Sequence, residues 1–366
     1  MLRGEYKTPG GKLVAVTIAV DGGGAVCSVR LDGDFFVESV DGSTAADTAA
    51  DALLRDIERA LAAGEPVAPA VARHPGARLI GTDARAIETA WRRALGEAPH
   101  AAAGMHGRMP ERDLCDIHGN RDVRGREREY DIRWSRLLPE LAVIRDRPRT
   151  PGEQMSIDVA WARQVAAGTR PPTLRFWEWA APCVVVGRFQ SIRDEVHEEV
   201  ARAEGFEVVR RATGGGAMFI EPGNTITYSL YAPAAFVRGL DVAESYRLCD
   251  RWLVDALREL GLDVGFSGLN DIASPAGKIG GAAQRRFPAP RGSGGSSGPG
   301  AVLHHTTLAY DIDAERMSRV LNVSGEKLSD KAVRSARRRV DPLRSQTGMG
   351  RDALVDHLIG ALRRVR

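Results

Sequence analysis

The residues of this chain best suited to chemistry fall in two short pieces, Arg210-Arg211-Ala212-Thr213-Gly214-Gly215-Gly216-Ala217 and Gly277-Lys278-Ile279-Gly280-Gly281. Phe206-Glu207-Val208-Val209 reads as a strand, so two arginines stand at its end and three glycines turn the chain after them. Glycines let backbone N–H groups come close to a ligand, and fixed guanidinium groups beside them suit phosphate or carboxylate. The pattern points to an anionic ligand. The plainer alternative is a strand-to-turn junction that only needs positive φ. Lysine usage adds weight to the second piece. Of 51 basic residues only Lys7, Lys12, Lys278, Lys327 and Lys331 are lysine. Where arginine meets almost every need for positive charge, a retained lysine marks a place that wants a compact ammonium rather than a planar fork. Lys278 is the only lysine between Lys12 and Lys327. Its plainer reading is an ion pair at a strand end.

At 366 residues the chain exceeds one average core and implies two domains, and 43% hydrophobic residues can bury both. A formal charge of +3, from 51 basic and 48 acidic residues, gives no argument for nucleic acid or an anionic membrane as partner. Cys27, Cys115, Cys183 and Cys249 are far apart, with no Cys-x-x-Cys pair and no metal-like Cys/His spacing. No metal site is expected, and a reduced, cytoplasmic setting fits. No stretch has the length of a membrane span or a signal-peptide core, so the expectation is a soluble protein.

The elements that must position these pieces follow in order. Residues 12–20 and 25–31 are β-branched and apolar around Asp21-Gly22-Gly23-Gly24, which predicts a hairpin. Ser43 or Thr44 is placed to cap a helix with Ala50, Leu53, Leu54, Ile57, Ala60 and Leu61 on one stripe, closed by Gly64. Asp83 and Gly96 bracket another helix over 84–95. From about residue 97 to 133 no apolar period is sustained, which predicts a partly extended connection with Cys115, His106 and His118 as solvated loop residues. The expected domains are 1–97 and 134–366, joined by 98–133. In the second, a helix is predicted over 154–167, then strands over 173–179 and 182–187 joined by a tight turn. Trp177 and Trp179 share a face there, as core or as the wall of an apolar acyl pocket. A strand over 224–231 and a helix behind the Asp241/Glu244 capping box come next. The Lys278 strand is joined through the Pro/Gly/Ser-rich stretch 288–300 to a strand over 302–310. That strand carries His304 and His305, of which at most one can point at a shared site. Helices over 314–321 and 351–362 end the chain.

Four segments match, in order, the motifs of a known family. The triple-glycine piece, Ser267-Gly268-Leu269-Asn270-Asp271, Gly277-Lys278-Ile279-Gly280-Gly281-Ala282-Ala283-Gln284-Arg285-Arg286 and His304-His305-Thr306-Thr307-Leu308 resemble lipoate-protein ligases. Tyr6-Lys7-Thr8-Pro9-Gly10-Gly11-Lys12-Leu13-Val14, with Gly33-Asp34-Phe35-Phe36, resembles their small accessory domain. In the family that domain usually follows the catalytic one, whereas here it comes first.

The resemblance implies an α+β fold, a mixed sheet with packed helices like that of class II aminoacyl-tRNA synthetases and biotin ligases. It also implies an ATP-dependent, AMP-forming ligase. The lipoate carboxylate attacks the α-phosphate of ATP, and pyrophosphate leaves with Mg2+. A lysine of a lipoyl domain of a 2-oxoacid dehydrogenase, or of the glycine cleavage H protein, then takes the lipoyl group. Both nucleophiles belong to substrates, so the enzyme aligns them and stabilises charge. By resemblance Lys278 is catalytic, touching the acyl carbonyl and the α-phosphate. Arg211, Gly214, Gly215, Gly216, Ala217, Met218 and Phe219, with Asn270 and Asp271, hold ATP and lipoyl-AMP. Trp177 and His304 line the acyl pocket. Octanoate stays open as a second acyl substrate. The family commonly carries His-Asp after the glycines, where this chain has Ile220-Glu221. Two other functions compete. An octanoyltransferase of the same fold would pass the acyl group through a cysteine thioester, yet Phe266–Ile272, where one such family carries that cysteine, contains none. A non-catalytic adaptor for lipoylated proteins needs neither Lys278 nor the accessory domain. The basic stretch Lys327–Arg339 offers a dock for an acidic lipoyl domain or is a solvated helix face.

Overall fold

A computed structural model describes residues 1–8, 10–39, 46–97, 120–292, 295–296, 298–322 and 340–365. In the N-terminal module β1 (Leu2–Lys7), β2 (Leu13–Val20) and β3 (Val26–Gly33) form an antiparallel meander. The Asp21 carboxylate accepts from the Gly23 and Ala25 N–H groups and holds the predicted hairpin. β4 (Phe36–Ser39) pairs with β5 (Ala77–Ile80), and α1 (Ala46–Ala62), α2 (Val67–Ala72) and α3 (Ala84–Ala94) complete the module. Asp83 caps α3 by accepting from Ala86 N–H at 2.8 Å, as its position implied. Val14, Val16, Ile18, Leu53, Ile57 and Ile87 fill a separate core.

The first departure from the sequence reading is α4 (Asn120–Leu137), which occupies part of the stretch expected to be extended. Tyr130, Trp134 and Leu137 follow helical spacing and bury together, while the charged remainder hides the stripe from a periodicity reading. Trp134 donates its indole N–H to Leu248 O at 2.9 Å and stacks edgewise on Phe236. His106, Cys115 and His118, and the proposed caps Ser43 and Thr44, lie outside the described residues.

Next in order are β6 (Ala142–Arg145), α5 (Pro151–Ala166), β7 (Thr173–Trp177), β8 (Cys183–Val186), α6 (Ile192–Glu195), α7 (Glu198–Ala203) and β9 (Glu207–Arg210). β10 (Met218–Ile220), β11 (Thr225–Pro233), α8 (Val242–Glu259), β12 (Gly265–Ser267), β13 (Asp271–Ala273) and β14 (Lys278–Phe287) follow. A short ladder, β15 (Arg291–Gly292) with β16 (Gly295–Ser296), leads to β17 (Ala301–Ala309) and the helices α9 (Ala314–Val320), α10 (Leu343–Thr347) and α11 (Arg351–Leu362). Seven strands form one mixed sheet in the order β12-β13-β14-β17-β11-β7-β6, antiparallel except for β6 beside β7. A second sheet, β10-β8-β9, stands apart from it. The predicted β7–β8 pairing is therefore corrected: the two strands belong to different sheets, because β8 pairs with β9 and β10 instead. Among the described residues no helix is long and apolar enough to cross a membrane.

The large sheet is two-faced. Phe176, Tyr228, Leu230, Val302 and Leu308 pack on one side with Leu248, Trp252 and Leu253 of α8 and Leu354 and Leu358 of α11. Residues an odd number of places away on the same strands, among them Trp177, Ser229, Tyr231 and His305, turn to the other side, as a strand's period of two requires. There α5 covers part of the sheet through Ala162, Val165 and Ala166, and the rest is open to a cavity. Replacing Trp134 by alanine should lower unfolding stability in urea by about 3–5 kcal/mol, the usual cost of removing a buried tryptophan. A loss below about 1 kcal/mol would mean that α4 is not docked on this core.

Candidate active site

The glycine turn begins where β9 ends, and Arg211 makes it rigid. Its guanidinium is buried and spends its donors on the chain around it: Nη2 on Gly214 O at 2.7 Å and Gly216 O at 2.9 Å, Nη1 on Val185 O at 3.3 Å. Nε is shared between Thr213 Oγ1 at 3.1 Å and Gly214 O at 3.2 Å. Burial pulls its pKa down to about 10, which leaves it charged at neutral pH. Arg211 lines the cavity, but its described hydrogen bonds go to the turn rather than outward. In a trans peptide the N–H points opposite to the preceding C=O, so the Gly215 and Ala217 N–H groups aim away from the guanidinium. Gly215 has φ +93°, and an added Cβ on Gly187 would sit 2.0 Å from Gly215 O. Only glycine fits either place.

Lys278 opens β14 and sets its ammonium 2.9 Å from Asp271 Oδ1, with its side chain about half exposed. Asp271 pairs with Gly281 across the β13–β14 ladder, and an added Cβ on Gly281 would meet Lys278 Nζ at 2.8 Å. The second glycine of Gly280-Gly281 thus keeps room for the ammonium. Burial alone would raise the Asp271 pKa, but the charges of Lys278 and Lys12 outweigh it and hold the carboxyl below its ordinary value. Asn270 donates to Ala282 O at 2.5 Å and accepts from Lys12 Nζ at 2.6 Å. Lys12 belongs to the N-terminal module and was not among the expected site residues.

The cavity, about 230 Å³, runs from these polar groups into an apolar slot walled by Met155, Trp177, Trp179, Val185 and Ile220. The two indoles pack 4.7 Å apart, and their N–H groups are directed to Ser229 and Thr227 on β11. At one wall His305 joins Asp158 Oδ2 through Nδ1 at 2.8 Å and Thr213 Oγ1 through Nε2 at 2.7 Å. Ser229 and Tyr231 also donate to Asp158, at 2.9 and 2.6 Å. Burial pushes the Asp158 pKa up, and these partners, His305 first, more than reverse it, so the carboxyl is held below its ordinary value.

The expected residues divide as follows. Trp177, Arg211, Gly215, Gly216, Ala217, Met218, Phe219, Asn270, Asp271 and Lys278 come together on one cavity. Gly214 does not line it; an added Cβ there would strike Phe35 O at 2.6 Å, so this glycine admits the N-terminal module. His304 is a correction: it faces the α8 side, where its Nδ1 accepts from Gln284 and its Nε2 meets Asp250 Oδ1 at 2.7 Å. Strand alternation gives the cavity to its neighbour, His305. Ile220 fills the apolar wall of the cavity, and Glu221 pairs with Arg316 of α9. Cys183 and Cys249 are fully buried, with thiols pushed up by desolvation, and Cys27 is exposed on β3. Among the described residues no cysteine lines the cavity and no cluster of acidic, His or Cys groups is arranged to hold a metal. Cys115 and the stretch Lys327–Arg339 lie outside the described residues.

A slot that is apolar along its length and cationic at its end, beside rigid backbone donors, defines a site for a molecule with an apolar tail and an anionic head. The description "Lipoyl protein ligase A/B catalytic domain" matches residues 150–363, and the chain belongs to that family. It is 31% identical to lipoate-protein ligase A subunit 1 of Thermoplasma acidophilum over 196 residues, 52% of this chain and 71% of that protein. It is 33% identical to octanoyltransferase LipM of Symbiobacterium thermophilum over 201 residues, 49% of this chain and 68% of that protein. Among solved structures, the bi-partite lipoate protein ligase of T. acidophilum, studied with its E2 lipoyl domain, aligns with a TM-score of 0.51 at 28% identity. That alignment covers 62% of this chain and 83% of the other. The fold is the expected α+β arrangement with a mixed sheet.

Two tests follow from the geometry. Arg211→Lys keeps the charge but loses the fork, and each buried carbonyl left without a donor should cost about 1–3 kcal/mol in urea unfolding; an unchanged midpoint would show that the turn does not need the fork. Because the Asp158 pKa is depressed, its contribution to stability is present above the ordinary carboxylate value of the unfolded chain and lost as pH falls through the lower folded value. Asp158→Asn should therefore flatten the acid side of the stability–pH curve, and an unaltered acid limb would remove Asp158 as its source.

Proposed function

We propose that this protein is an ATP-dependent lipoate-protein ligase, forming lipoyl-AMP and passing the lipoyl group to a lysine of an acceptor protein. One observation carries the reading: the apolar slot ends at ammonium groups and a glycine turn, and no described cysteine lines it. In the activation step a carboxylate oxygen of lipoate attacks the α-phosphorus, the bond from that phosphorus to its bridging oxygen breaks, and pyrophosphate leaves with the electron pair. Magnesium would arrive on the nucleotide phosphates, as part of the substrate. The Gly215 and Ala217 N–H groups suit the phosphate oxygens of that step, and Lys278 is placed to stabilise charge where carboxylate and phosphate meet. In transfer, an acceptor lysine attacks the acyl carbonyl, AMP leaves, and an amide forms as the amine loses a proton. Met155, Trp177 and Trp179 would exclude water from the acyl chain. The acceptors that fit are lipoyl domains of 2-oxoacid dehydrogenases and the glycine cleavage H protein, with octanoate as a second acyl substrate and the cytoplasm as the setting.

The second reading is an octanoyltransferase, favoured by the names of most curated relatives, which are octanoyltransferase LipM like that of Symbiobacterium. It requires an activated thiolate, whereas burial pushes the thiols of Cys183 and Cys249 up and away from nucleophilic form.

The test is lipoate-dependent ATP–pyrophosphate exchange. The wild-type protein should catalyse it, Lys278→Ala should abolish it with the fold intact, and Lys278→Arg should restore little, since a planar fork cannot replace a compact ammonium. Near-normal exchange in Lys278→Arg would refute the role given to Lys278. No exchange in the wild type would refute the ligase.

A further inference from the structure

The polar end of the cavity is not built by one module. Lys12 precedes β2, with its backbone N–H bonded to Gly81 O at 2.6 Å, and its side chain crosses Gly81 to enter the cavity. An added Cβ on Gly81 would meet Lys12 Cγ at 2.4 Å, and Gly81 has φ +82°, so the crossing depends on glycine. Once there, the ammonium donates to the neutral Asn270 amide oxygen at 2.6 Å and stands 5.6 Å from the Phe36 ring centroid. An ammonium has three donors, and this is its one hydrogen-bond partner among the described residues. Asn270 is itself fixed by its bond to Ala282 O, so the Lys12 head is held at a set place. Beyond Asn270 the single Asp271 carboxylate is already engaged with Lys278 at 2.9 Å. Among the described lining residues Lys12 and Lys278 face one carboxylate, Asp271, with Asp34 close to Gly216 of the turn, and with Arg211 the end of the cavity keeps an excess of positive charge. Burial, then the like charge of Lys278, lowers the Lys12 pKa, and the Asp271 and Asp34 charges offset this only in part. A half-buried cation left with one neutral hydrogen-bond partner is a poor device for stability and a good one for binding an anion.

We propose that Lys12 is a nucleotide-binding residue: together with Lys278 it takes the phosphate groups of ATP, so the N-terminal module supplies part of the activation site. The proposal rests on the ligase reading. It adds to that reading a second, separately encoded cation that reaches the phosphates from another module. The activation step then runs beside two ammonium groups brought by different modules, neither of which gives up a proton.

The experiment compares the full-length wild type with Lys12→Met by calorimetric titration of Mg2+-ATP, and in parallel of lipoate, with the unfolding temperature of each protein measured alongside. Loss of one charge-assisted contact should weaken ATP binding about tenfold or more. Lipoate affinity should stay the same, and the unfolding temperature should not fall. Equal ATP affinity in wild type and variant would overturn the proposal while leaving the ligase reading in place. Weaker lipoate binding with ATP binding unchanged would also overturn it, by assigning Lys12 to the carboxylate. A fall in unfolding temperature with both affinities unchanged would overturn it in favour of a structural role. A wild type that binds no ATP and shows no exchange would sink the ligase reading, and the proposal with it.

Discussion

A buried guanidinium that faces backward is what the rest of the site depends on. Arg211 is desolvated and satisfied by carbonyls of the strand and turn around it, so those carbonyls are drawn to one side and the intervening N–H groups are left on the other. Rigid backbone donors follow from that arrangement without any side chain having to point at the ligand. Such donors need no reorganisation when charge develops in front of them, which is why a turn stiffened from behind serves acyl and phosphoryl chemistry better than a flexible cationic arm.

The same turn ties the two modules together. Gly214 is pressed against Phe35 and Phe36, Gly33 N–H reaches Phe189 O at 3.1 Å, and the rings of Phe35 and Phe189 stack 5.3 Å apart. Gln190 bonds Asp34 at 2.8 Å and Gly187 N–H at 2.8 Å, linking the N-terminal module to the strand end that supports the turn. The N-terminal module is thus placed by contacts immediately behind and beside the glycines, and this placement carries Lys12 to the cavity. Behind the sheet, a separate buried network of Asp250, His304, Tyr228, Thr306 and Gln284 fixes the register of the strands that deliver Lys278 and His305.

Much of this was legible in the sequence where local chemistry decides the structure. Asp83 and Asp241 cap helices as read, Asp21 closes its hairpin, and the strands that carry Lys278 and His305 lie within a residue or two of their predicted bounds. Alternation also allowed only one of the paired histidines at the site, but nothing local told which; the sheet's pairing decides that, and it selected His305 over His304. Two features were out of reach for different reasons. Among the described side chains of α4 only Tyr130, Trp134 and Leu137 bury, too few for a visible period among so many charges. Arg211 lines the cavity, as its type and position implied, but its bonds to the Val185, Gly214 and Gly216 carbonyls are something no sequence pattern displays. Lys12 was readable in principle. The scarcity of lysine that singled out Lys278 applied to it equally, but its distance in sequence concealed their nearness in space.

The central claim is that an acyl carboxylate is joined to AMP without any covalent acyl-enzyme. Intact mass measurement of the protein after incubation with an acyl donor tests it most directly. With ATP and lipoate or octanoate, the chain should keep its unmodified mass under denaturing conditions while acyl-AMP and pyrophosphate accumulate. A stable mass increase equal to one acyl group, removed by hydroxylamine and formed from an acyl thioester donor without ATP, would contradict the account.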